Sequence, residues 1–449
     1  MRNNLLRLAG RLALLPAVAL QLTGCDFDEL VEVELPVIAP SNAANAAGAQ
    51  ALRAAAMRDM WVFTGSNVFA WAGAGLLSDE LINARTGFET TDLREITGTS
   101  SPATTSWSGF VGVLYSAPKG IRALTEYVAD SPTRQTQLAE LNAVHGLAMT
   151  IGGEIFCNGV PRSYLQDDGS KVYDEKSYTN ADWWNLAVEA FNTALTTAPA
   201  NASIRSMARI GKARALLNLN QPAAAAAVVR AGGDGAGSTA IATSYAFNAE
   251  YSASGTITQG PYDWIPSSAN MGTPNGSETP NTMDWRDPRI NPTFFRKGQD
   301  GVTDVYRPAA LPWIGSNASP YPLATGTEAR LIEAEADLRV GNAAWLTTLN
   351  ALRSASPLSA QLPALVDPGN EAARVDMVFK ERAMWMYLTI HRLGDMRRLI
   401  RQYSRATEAV FPTGAYFKGG TYGTSVALEP STTESNTHPH WSACTDKLP

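Results

Sequence analysis

MARIGKARALLNLNQPA (residues 207–223) and EARLIEAEADLRVGNAA (residues 328–344) are two copies of one pattern. Ala208, Arg209, Ala213, Ala215 and Leu217 return as Ala329, Arg330, Ala334, Ala336 and Leu338, at a constant offset (329 − 208 = 121). Ile210, Ala213 and Leu217 form an i, i+3, i+7 stripe, and so do Leu331, Ala334 and Leu338, which marks one buried face of a helix. Each copy stops at a turn signal, Asn220-Gln221-Pro222 or Gly341-Asn342, and a second short helix follows. In the second copy that helix shows Trp345, Leu349 and Leu352 on one face. Small alanines on the first helix let the second lie close. This is the helix-turn-helix logic of tetratricopeptide repeats. DWWNLAVEAFNTALTTAP (182–199) adds a further helix of the same kind.

Working outward, a helix is expected over about 41–63, capped by Ser41 or Asn42, with others near 106–130, 134–157 and 181–198. A long final helix spans about 370–403, because Phe379, Ala383, Met386, Ile390 and Leu393 are spaced 4, 3, 4, 3. Residues 65–105 read as loop-rich. Residues 231–322 are rich in Gly, Ser, Pro and Asn and carry Tyr262, Trp264, Trp285, Phe294, Phe295, Tyr306, Trp313 and Tyr321. Long loops of that kind are often functional. The fold class is mainly α.

The 449 residues are 45% hydrophobic and 17% charged, an ordinary globular composition. The formal net charge is -6. Nucleic-acid binding is set aside, because phosphate contacts need clustered Lys and Arg. Arg2, Arg7 and Arg11 precede a short apolar run, Leu12 to Leu22, too short to span a membrane but suited to a secretory signal. The run ends in Leu22-Thr23-Gly24-Cys25. This L-x-G-C pattern resembles the lipobox of bacterial lipoproteins, in which the chain is cut before the cysteine and the thiol receives diacylglycerol (palmitate-type acyl chains). Loss of residues 1–24 would take the charge to -6 - 3 = -9. Asp26, Asp28 and Glu29 would then form an acidic tether. Cys157 and Cys444 remain, either as a disulfide tying the tail to the body or as two unpaired buried thiols.

No catalytic signature stands out. GGDGAGST (232–239) lacks the lysine of a phosphate loop. Ser116-Ala-Pro-Lys119 has no K-T-G to follow it. Glu333 and Asp337, four apart, read as a solvated helix face rather than a glycosidase pair. His438, His440 and Cys444 read as a disordered or packed tail rather than metal ligands.

The order of features resembles the RagB/SusD family of outer-membrane nutrient-binding lipoproteins. The matching pieces are LTGC (22–25), LLSDE (76–80), WSGFVGVLYSAPKGIRALTEYV (107–128), DPR (287–289), EARLIEAEADLRVGN (328–342), LNALR (349–353), FKERAMWMYLTIHRLGDMRRL (379–399) and FPTGAYFKGGTYG (411–423). Two departures stand out. Thr389-Ile390-His391-Arg392 replaces the family's E-G-x-R, and AELNAVHGLAMTIGGEIFCNG (139–159) diverges from its A-R-x-L-R-A-x-x-Y-F segment.

The resemblance implies a SusD-like α-helical fold, with four repeat-type helix pairs supporting a loop-rich ligand-binding half. The layout would be a signal peptide over 1–24, a tether over 25–40 and one domain over 41–449. That domain would hold repeats over about 41–230 and 323–403, an insertion over about 231–322 and a tail over 404–449. It also implies a non-enzymatic lid over a TonB-dependent β-barrel transporter (SusC-like), capturing oligosaccharides or peptides, with no cofactor or metal. The expected place is the outer membrane, lipid-anchored and facing outward.

Sugars present apolar C–H faces that aromatic rings cover, while Arg, carboxylate and amide groups bond hydroxyls. The candidate ligand residues are therefore Arg85, Trp107, Tyr262, Trp264 and Trp285. Asp287 and Arg289 are expected to form an internal ion pair, and Glu381, Arg382, Arg392 and Asp395 to brace the last helix. Two other classes remain: a lipid-anchored glycan hydrolase, and a helical scaffold for envelope proteins.

Overall fold

Asn45 starts the described chain's first helix: its side chain accepts a hydrogen bond from Gly48 N at 2.9 Å. The computed structural model describes residues 44–447 except 67–68, 166–169, 198–200, 236–237, 252–256, 258, 260, 262–264, 266–270, 273–285, 312 and 442. Ser41 and Asn42 lie outside these, and the cap falls on Asn45 instead.

Helices α1 (Ala46–Gly65), α2 (Ala70–Leu77), α3 (Ser101–Tyr127), α4 (Pro132–Ile155), α5 (Asn180–Thr197), α6 (Ala202–Asn218), α7 (Pro222–Val229), α8 (Gly326–Arg339) and α9 (Ala344–Ala355) follow in order. The chain then forms α10 (Glu371–Trp385), α11 (Arg392–Tyr403) and α12 (Thr432–Thr437). The pairs α1/α3, α4/α5, α6/α7 and α8/α9 stack in sequence, each second helix also packing on the first helix of the next pair. The four repeat-type pairs implied by the resemblance are therefore present, and the two copies 121 residues apart, α6/α7 and α8/α9, are neighbours through α7 and α8.

Alanine and glycine set the spacing. Ala213, Ala334, Leu331 and Leu349 are fully buried, as the stripes require. A Cβ at Gly211 would lie 2.3 Å from the Phe191 ring, and one at Gly146 3.0 Å from it. These glycines therefore let α4, α5 and α6 meet around one aromatic ring. Glu333 and Asp337 correct an expectation. They are 7% and 5% exposed and paired with Arg330 and Arg230, because α7 covers their side of α8.

The expected single helix over 370–403 is two. It ends at Trp385 and restarts at Arg392, with Leu388 and Ile390 at φ 56° and 65°. The backbone groups freed by the break find side chains: Leu388 N donates to Glu80 Oε1 (2.9 Å), Tyr321 OH donates to Leu388 O (2.6 Å), and Arg214 donates to Ile390 O (3.0 Å). Phe379, Ala383, Met386, Ile390 and Leu393 are all buried nonetheless.

Residues 65–105 are more ordered than expected. AWAGAGLL forms α2, buried on every side, and strand β1 (Ile82–Asn83) follows. The remaining strands make small antiparallel pairs. β1 pairs with β5 (Met271–Gly272), β2 (Val160–Leu165) with β3 (Lys171–Tyr178), β4 (Ala246–Ala249) with β8 (Tyr321–Thr325), and β6 (Pro292–Lys297) with β7 (Asp304–Pro308). The tail is ordered against the body: Leu428 N donates to Ile155 O, and Cys157 is disulfide-bonded to Cys444 with Cα atoms 5.5 Å apart. Of the two readings left open for these cysteines, the structure holds the disulfide.

Candidate functional site

The expected ligand residues do not converge among the described residues. Trp107 is 4% exposed in α3, edge-on to Phe156 (ring centroids 5.2 Å) and to Phe110 (5.7 Å). This corrects its assignment: the ring belongs to the core and offers a ligand no face. Arg85 is half-buried in the turn after β1, its guanidinium 4.9 Å over the Phe88 ring. Tyr262, Trp264, Trp285 and the lipidation candidate Cys25 lie outside the described residues.

Arg85 has unanticipated neighbours. Asp300 N, at the tip of the β6–β7 hairpin, donates to Ala84 O at 3.0 Å. On that hairpin Phe294 is 57% exposed and packs on Tyr306, and Phe295 lies under Arg296 (5.0 Å) and Arg307 (5.1 Å). The hairpin thus brings an exposed aromatic and cationic ribbon to the Arg85 turn.

A cleft of about 430 Å³ opens where the fourth helix pair meets the loop-rich insertion. That volume lies within the usual range of small-molecule sites. One wall is β4 and β8 with Tyr245, Asn248 and Pro322; another is formed by Ala310, Leu311 and Trp313. Pro357 after α9 and Met384, Trp385 and Met386 at the α10 break complete it. Position follows from local chemistry. Thr325 ends β8 and caps α8, accepting from Glu328 N at 3.1 Å, so the strand delivers the chain to both the cleft wall and the repeat. Burial lifts the Tyr245 hydroxyl to about 12, and it donates to Ser203 O at 2.7 Å.

The floor is rigid. Arg289 lies 4.8 Å over the Trp385 ring and bonds Asp287 (2.7 and 2.6 Å) and Glu381 (2.7 and 3.0 Å). Arg353 (2.6 Å) and Trp385 Nε1 (3.1 Å) also donate to Glu381. The Asp287–Arg289 pair is thus internal, as expected, and Trp385 is held with one ring face already covered. Trp313 is half-buried, and its Nε1 has no hydrogen-bond partner among the described residues. Among the described residues no carboxylate, histidine, lysine or cysteine lines the cleft. Its chemistry is that of an apolar, aromatic trough with hydroxyl and amide groups from Asn248, Thr327, Ser356 and Thr389.

Behind the cleft the bracing residues are in place. Arg382 spans Asp395 (2.8 and 2.9 Å), and Arg398 bonds Asp395 and Glu335. Despite burial, Arg382 and Arg398 hold the Asp395 carboxyl well below the usual carboxylate range. Arg392 clamps Asp79 with two bonds, 2.7 and 2.8 Å, joining α11 to the end of α2. Trp313 was legible as a loop aromatic; Trp385 was not, because it reads as part of a helix face.

No protein-family model matches the sequence, and no curated protein matches it. Solved structures do match. A SusD superfamily protein from Parabacteroides distasonis superposes with a TM-score of 0.66 at 12% identity, over 89% of this chain and 99% of the other. A SusD homolog from Bacteroides thetaiotaomicron gives 0.64 at 14% identity, over 90% and 97%. A laminarin-binding SusD-like protein gives 0.62 at 16% identity, over 90% and 99%. Coverage is nearly complete in both directions: the chain has the SusD-like fold.

Proposed function

We propose that this protein is an outer-membrane lipoprotein that binds an oligosaccharide without cleaving it and passes it to a TonB-dependent β-barrel transporter. The observation that carries the binding reading is the aromatic cleft, which among the described residues is lined by no carboxylate or histidine. Hydrolysis of a glycoside needs two carboxylates placed across the sugar. Asp287 and Glu381, which hold the Arg289 of the cleft floor, are both paired with that arginine. Trp313 and Trp385 offer ring surface for the C–H faces of a sugar, and the rim offers hydroxyl and amide partners. Similar solved structures are described as carbohydrate-binding, one of them for laminarin.

The anchor at Cys25 rests on the L-x-G-C sequence after a short apolar run. The Cys157–Cys444 disulfide accords with an exported, oxidising compartment. Among the described residues no helix is long and apolar enough to cross a membrane.

The test is a glycan and peptide panel on the purified protein, read by tryptophan fluorescence and calorimetry. Saturable binding of one polymer class without product, weakened about tenfold by Trp313→Ala, is the expected result. Turnover of any glycan would replace this reading with the hydrolase. Binding of no glycan, with capture of a barrel retained, would replace it with the scaffold. The anchor is tested separately: Cys25→Ala should leave the membrane pellet.

A further inference from the structure

A second cavity, of about 240 Å³, lies on the far side of the buried charge network. It is walled by the end of α4 (Gly153, Glu154), the start of α5 (Ala181, Trp184), the end of α6 (Asn218, Asn220) and one side of α11. Three arginines of α11 line it, Arg397, Arg398 and Arg401, against a single carboxylate, Glu154.

Sorting the ion pairs shows where charge is left over. Glu154 is matched one to one by Arg214, at 2.8 Å. Arg398 and Arg382 are matched two to two by Glu335 and Asp395. Arg397 and Arg401 share one partner, Asp446 of the C-terminal tail. Of these three groups only the last is unbalanced, two cations to one anion, and both of its cations line the cavity. Arg397 is 3% exposed. One of its nitrogens caps α4 through Glu154 O (2.6 Å) and Phe156 O (2.9 Å), a second reaches Asp446 at 3.0 Å, and Nε has no partner. Burial and the Arg401 charge lower Arg397 to about 9, the mark of a buried cation short of counter-charge.

We infer that this cavity is an oxyanion site, taking a carboxylate, sulfate or phosphate group between Arg397 and Arg401. Asp446 already shows the recognition chemistry, since its carboxylate bridges both guanidinium groups and accepts from Asn158 N. Planar guanidinium groups favour such oxygens over a spherical halide. Asn218 and Asn220 line the same space and offer further amide donors. The site is separate from the aromatic cleft and does not depend on what that cleft binds.

The experiment compares sodium sulfate, phosphate and glucuronate with sodium chloride at equal ionic strength, by calorimetry and thermal shift on the whole protein. One saturable site for an oxyanion, with no chloride counterpart, is expected. A response confined to glucuronate identifies a carboxylated sugar as the ligand; a response to sulfate or phosphate identifies the inorganic group or its esters. Arg401 is exposed at the cavity mouth, so Arg401→Gln should fold and lose affinity about tenfold or more. Asp446→Asn removes the internal competitor and should tighten binding. Binding unchanged in Arg401→Gln, unchanged or weakened in Asp446→Asn, or absent for all three oxyanions in the wild type, would overturn the assignment. General salt stabilisation would persist in Arg401→Gln and is thereby told apart.

Discussion

Glu80 illustrates how single residues carry this structure. It is 1% exposed between the end of α2 and the break after α10, and accepts from Leu388 N. Burial lifts its carboxyl to about 8, opposed by that hydrogen bond and by Arg392. The folded state therefore keeps a proton that the unfolded chain loses near its ordinary value of 4.5. The stability Glu80 contributes is complete below that value and is lost as pH rises through about 8. Glu80→Gln keeps the acceptor and removes the ionisation. Relative to the wild type it should gain on the order of 3 kcal/mol between pH 5 and pH 8, measured by urea titration at both. A gain that shrinks with pH would contradict the assignment. At this same scale the sequence was least informative. Trp107 looks like any tryptophan beside a loop, and only packing against Phe110 and Phe156 shows it to be core.

At the scale of elements, helix pairs were legible and breaks were not. The stripe from Phe379 to Leu393 is equally buried in one straight helix or in two helices joined by a bend, so periodicity cannot separate them. The bend exists because groups remote in sequence satisfy its backbone: Glu80, Tyr321 and Arg214 each bond a freed amide or carbonyl. It costs about 1–3 kcal/mol at each left-handed residue, most plainly at β-branched Ile390. Helix α2 was missed for the opposite reason. Its glycines weaken helix propensity, but they let Leu428 and Leu81 approach Gly73 and Gly75, so burial decides. The Asp79–Arg392 clamp ties α2 to α11 out of contact with water. Asp79→Ala removes the carboxylate that clamps the buried Arg392 charge and should cost about 3–5 kcal/mol. The readout is a lowered urea midpoint.

For the whole molecule, the tail closes the structure. The Cys157–Cys444 bond spans 287 residues of sequence, and Asp446 and Lys447 fasten the same segment to α11 and to Glu429. Removing the bond with Cys444→Ser should cost roughly 2–5 kcal/mol, because a long loop in the unfolded chain regains its freedom. Amide exchange should rise first around 426–447. A melting temperature indifferent to both reducing agent and the substitution would show that the polar contacts alone hold the tail.

By itself the sequence determined the helical class, the 121-residue repeat, the stripes that become buried faces and the ion-pairing residues around Arg289 and Arg382. These are local or periodic properties, written in spacing and side-chain type. The tertiary structure alone decided the split of the last helix, the Cys157–Cys444 pairing, the cleft built from Trp313 and Trp385, and the charge left over at Arg397 and Arg401. Each depends on which distant groups meet, and that is set by the packing of the helix pairs against the loop-rich half rather than by any one segment.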